Sequence, residues 1–70
     1  MRRRFRSKKN LQDDYSISRN TVDRLIAFMR EHKDRYSSED FLYIGGRLRV
    51  SEEAFYDAIQ LRESIKRGIA

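Results

Sequence analysis

The stretch FLYIGGRLRV at positions 41–50 restricts the architecture more than any other part of this chain. Two adjacent glycines inside an apolar, β-favouring run suit a two-residue hairpin turn. Its tight form needs positive φ at both central positions, which glycine adopts without strain. With Gly45-Gly46 as the turn, Ile44 faces Arg47, Tyr43 faces Leu48, Leu42 faces Arg49 and Phe41 faces Val50. The period of two places Phe41, Tyr43, Leu48 and Val50 on one face, expected to be core. Leu42, Ile44, Arg47 and Arg49 lie on the other.

Helical signals flank this hairpin. Ser7 is positioned to cap a short helix over 8–15, with Leu11 and Tyr15 one turn apart on one face. Ile17 sits in a tight connection, and Ser18 caps a second helix expected over 19–33. Val22, Leu25, Ile26 and Met29 follow there at the three-and-four spacing of an amphipathic helix. KDRYSSED is a polar connection. After the hairpin, Ser51 caps a third helix with Glu52 and Glu53 in its first turn, where the helix dipole favours negative charge. Phe55, Ala58, Ile59, Arg62 and Ile65 mark its inner stripe, Lys66 and Arg67 close it, and Gly68 stops it. Helix, tight turn, helix, β-hairpin, helix is the order of a small α+β winged helix-turn-helix domain, here over residues 7–70.

Charge is distributed unevenly. Arg2, Arg3, Arg4, Arg6, Lys8 and Lys9 place six cations and no acid in the first nine residues, whereas the rest holds ten Lys/Arg against eleven Asp/Glu. Residues 1–6 therefore read as a disordered basic arm on a nearly neutral domain. Such arms commonly bind nucleic-acid phosphates or enter a minor groove, and the alternative is a solvated tail. At 70 residues the chain supports a single small core. With no cysteine it has neither disulfides nor a thiolate metal site. Without an apolar run near 20 residues it offers no membrane span, and a cytoplasmic protein is expected.

Three quoted segments carry a family resemblance: YSISRNTVDRLI for the turn and second helix, YIGGRLRV for the wing, and SEEAFYDAI for the closing helix. From Tyr15 to Ile59 the chain resembles the excisionases of conjugative transposons and temperate phages, and the related DNA-binding domains of mercury-resistance-type regulators. It departs from the family's alanine-containing "EEAA" first helix, with Leu11 in the alanine's place. The resemblance implies a second helix in the major groove of double-stranded DNA, a wing on the backbone or minor groove, and DNA bending. It also implies a tyrosine integrase as partner and cooperative self-association on DNA. Carried over by position, Ser18, Arg19, Asn20 and Arg24 match the DNA face of the second helix, and Arg47 and Arg49 match the wing.

The residue types agree with that placement. Arg and Asn pair bidentately with guanine and adenine edges. Asp23 is expected to orient Arg19 or Arg24 rather than to read cytosine. Glycines at the hairpin tip let the backbone approach a phosphate while the arginines supply counter-charge; the alternative is that they are edge-blocking charges. His32 is a surface residue near a helix end, and Tyr36, Tyr43 and Tyr56 are better explained by packing than by base stacking. No motif suggests catalysis, a cofactor or a metal, so a non-enzyme is expected. Two further readings are a small transcriptional regulator and a protein-interaction or inhibitor module, for which Leu42 and Ile44 form the candidate patch.

Overall fold

A computed structural model of the chain describes residues 4–68. It is a small α+β structure with three α-helices and one three-stranded antiparallel sheet among the described residues. In chain order these are strand β1 (Phe5–Ser7), helix α1 (Lys8–Tyr15), helix α2 (Arg19–Glu31), strand β2 (Phe41–Ile44), strand β3 (Arg47–Ser51) and helix α3 (Glu52–Lys66). A single 3₁₀ turn at Ser38–Asp40 leads into β2.

Serines start each helix. Ser7, Ser18 and Ser51 accept hydrogen bonds from the backbone N–H groups of Asn10, Thr21 and Ala54, satisfying donors that the first helical turn leaves unpaired. The connection between α1 and α2 is short because Ser16 turns left-handed at φ +54° and Ile17 N–H returns to the Gln12 carbonyl. Leu11, Val22, Leu25, Met29, Val50 and Phe55 form the centre of the core, closed from the sides by Ile26, Tyr36, Ala54 and Ala58. Leu11 is fully buried where the resembled family carries alanine.

The hairpin has the expected register. Phe41 pairs with Val50, Leu42 with Arg49, Tyr43 with Leu48 and Ile44 with Arg47. Both glycines have positive φ, +58° and +77°, the signature of a type I′ turn.

Four expectations need correction. Phe5 and Arg6 are not part of a disordered arm. They belong to β1, which pairs with β3 through Phe5–Ser51, Arg6–Val50 and Ser7–Arg49. A three-residue strand is too short to show a period of its own, and it exists because β3 offers a free edge. Helix α2 ends at Glu31, not at residue 33. His32 leaves helical geometry and its ring Nδ1 lies 2.8 Å from the Phe28 carbonyl oxygen. Tyr43 is exposed (62%) although its pairing is as expected, because the hairpin tip extends past the helices that cover Val50 at its base. Ile65 is likewise exposed (48%), since α3 outruns the core. Among the described residues no helix is long and apolar enough to cross a membrane.

Candidate functional site

Helix α2 forms a ridge whose buried stripe of Val22, Leu25, Ile26 and Met29 leaves its N-terminal polar residues facing outward. Ser18 is committed to the helix: its Oγ accepts from Thr21 N–H and pairs with Thr21 Oγ1. Asn20 and Arg24 are exposed one turn apart, and neither forms a hydrogen bond or ion pair with the described residues.

Asp23 lies between two cations. Its Oδ1 is 3.0 Å from Lys8 Nζ and 3.6 Å from Arg19 Nε. The Lys8 ammonium, helped by Arg19, holds this carboxyl below the usual carboxylate range. The expected orienting role thus falls on Arg19, with Lys8 as a further partner, and leaves Arg24 free of Asp23.

An open groove of about 840 Å³ separates α2 from the hairpin, walled at one end by the start of α1. Lys8, Lys9, Arg19, Arg30, Arg47 and Arg49 line it, and Asp23 is the only acid among its lining residues. Arg47 is exposed at the hairpin tip. Arg49 is half-buried, and its Nε is buried without a hydrogen-bond acceptor. A buried donor without an acceptor is costly. The outward hairpin residues Leu42 and Ile44 are also exposed.

The structure divides the basic N-terminal residues. Arg2 and Arg3 lie outside the described residues. Arg4 is exposed and 3.5 Å from Glu52. Arg6 is committed elsewhere: it makes two 2.9 Å bonds to the Asp14 carboxylate from a side chain only 21% exposed. That pairing removes Arg6 from the set of cations open to a ligand.

Sequence reasoning missed three contributors to the groove. Lys8 and Lys9 belong to the first turn of α1, although their charge reads as part of the arm. Arg30 falls on the same flank of α2 as Arg19 and Asp23, a signal present in the helical period, since it stands seven residues after Asp23. It donates to Tyr43 Oη at 3.1 Å and lies 4.8 Å over the Phe41 ring, tying α2 to the hairpin.

The arrangement joins an outward polar helix face to a concave cationic surface. It suits a polyanion that carries regularly spaced charge. No protein-family model, no curated protein and no solved structure matches this chain.

Proposed function

We propose that this protein is a winged-helix, sequence-specific binder of double-stranded DNA that acts without catalysis, and an architectural factor of the excisionase kind. One observation supports the reading most: the groove between α2 and the hairpin is lined by six cations and a single acid. In this reading α2 enters the major groove, with Asn20 and Arg24 at base edges. Arg47, Arg49 and Lys9 neutralise the adjacent phosphates. DNA bending, assistance to a tyrosine integrase at the ends of a mobile element, and cooperative self-association rest on the family resemblance. The exposed Leu42 and Ile44 favour a second reading, a protein-interaction module docked through the hairpin.

Duplex titration separates the two. Affinity should fall steeply with salt, with a slope of about 0.9 per neutralised phosphate. Asn20→Ala and Arg24→Ala should each cost roughly 1–3 kcal/mol on a duplex selected by the protein, and much less on a scrambled one. Equal weakening on both duplexes would mean that α2 reads no bases. A wild-type chain that binds no duplex would leave the interaction-module reading standing.

A further inference from the structure

We infer that α3 carries a second phosphate-contacting row, Arg62 and Lys66, which grips the DNA strand on the side of α2 away from the hairpin. This rests on the DNA-binding reading and adds to it residues on a different helix and a different flank.

Helix α2 separates two grooves rather than bordering one. The second groove, about 360 Å³, runs between the α1–α2 connection, α2 and α3. Its apolar lining includes Ile17, Leu25 and Ile59. Its cations are Arg24 from α2 and Arg62 and Lys66 from α3, with Glu63 as the only acid among the lining residues. Arg62 and Lys66 stand four residues apart, so they are neighbours on one helix face and repel each other.

Glu63 offsets part of this from three residues before Lys66, without an ion pair to either cation. Elsewhere Arg4, Arg6, Lys8, Arg19 and Arg35 each have a carboxylate partner. Arg24, Arg62 and Lys66 have none among the described residues, and Glu63, beside Arg62 in the chain, pairs with neither. A helix face that carries like charges at one-turn spacing, above an apolar floor and with three cations to the one carboxylate of Glu63, is suited to an external anion.

Duplex geometry supplies that anion in the right place. The major groove is about 12 Å wide, and an α-helix with its side chains measures about 10–12 Å across. A helix lying in the groove therefore has a phosphate strand on each side. The hairpin groove faces one strand, and the α3 row faces the other. Arg24, which lines the second groove, stands where base edges give way to that backbone.

The test compares Arg62→Gln with Lys66→Gln in one chain against Arg47→Gln with Arg49→Gln in another. Glutamine keeps the polar stem and removes the charge, and Lys66→Glu alone, at an exposed position, guards against a folding defect. On a mixed-sequence duplex, each double variant should flatten the slope of log affinity against log salt by about 1–2. On the duplex selected by the wild-type chain, phosphate-ethylation interference should vanish on opposite strands in the two variants. A flattened slope in the hairpin variant, with wild-type slope and interference in the α3 variants, would overturn the α3 row and leave the DNA reading intact. Failure of the wild-type chain to bind either duplex would overturn both.

Discussion

A left-handed backbone costs an L-residue about 1–2 kcal/mol, and this chain meets that conformation at both kinds of residue. Gly45, Gly46 and Gly68 adopt it without a side chain to strain, whereas Ser16 adopts it with one. Nothing lies within 4 Å of a Cβ added at Gly45 or Gly46, so substitution there is opposed by backbone strain and not by collision. Gly45→Val should lower stability by about 1–2 kcal/mol, while Gly45→Asn should lose little, because asparagine tolerates φ > 0. Ser16→Gly should act oppositely, with a gain of about 0.5–1 kcal/mol, since strain relief exceeds the added chain entropy. Urea denaturation checks all three, and a stabilised Gly45→Val would remove the type I′ turn from the fold. The glycines were legible because paired glycine in an apolar run has few other uses. Ser16 was not, since serine is ordinarily a cap and carries no left-handed signature.

At the scale of elements, the connection between α2 and β2 is tied to α3 by one carboxylate. Asp57 of α3 receives two bonds from Arg35, at 2.7 and 2.9 Å, and one from Tyr36 Oη at 2.8 Å. Arg35 holds this carboxyl below its ordinary 3.8, and Tyr36 adds to the effect. Burial, assisted by the bond to Asp57, pushes the Tyr36 hydroxyl from 10.0 up to about 12. The signs are opposite. An unfolded Asp57 binds a proton more readily than the native one, so its contribution is present above pH 3.8 and lost as acid titrates the native carboxylate. For Tyr36 the contribution is complete below pH 10 and lost as pH rises toward about 12. Tyr36→Phe should therefore weaken the fold by about 1 kcal/mol at neutral pH and flatten the decline between those alkaline values. Tyr15, raised chiefly by burial, contributes to the decline that remains. Asp57→Asn should lessen the acid decline, at a cost near 1 kcal/mol because the ion pair is largely solvated. Stability measured by urea midpoint across pH tests both, and an unchanged alkaline limb in Tyr36→Phe would show that the native environment does not raise the Tyr36 hydroxyl. The hairpin register and the three helix starts could be read from period and capping. This clasp could not, because Asp57 lies 22 and 21 residues from Arg35 and Tyr36 and shares no local pattern with them.

Across the whole molecule, the fold reassigns charges that look alike along the chain. The six cations of the first nine residues form one block in sequence, yet the structure uses them in different ways. Arg6 of β1 neutralises Asp14 in the last turn of α1, Lys8 neutralises Asp23 of α2, and Lys9 lines the hairpin groove. The outward face of α2 was legible because it follows from a single helical period. The groove was not, since Lys8, Lys9, Arg30 and Arg49 meet only after β1 docks on β3 and the hairpin folds over α2. The division yields opposite expectations for neighbouring arginines. Arg2→Gln with Arg3→Gln removes two charges before the first strand, so it should flatten the salt dependence of duplex binding by about 1–2 and leave melting unchanged. Arg6→Gln breaks a bidentate pair whose arginine is mostly buried, so it should cost about 1 kcal/mol of stability and leave the salt slope as it was. Calorimetry and duplex titration on both variants decide between them. An unchanged slope without Arg2 and Arg3 would reduce those residues to a solvated extension. A flattened slope in Arg6→Gln at wild-type stability would mean that Arg6 leaves Asp14 for a phosphate when DNA arrives.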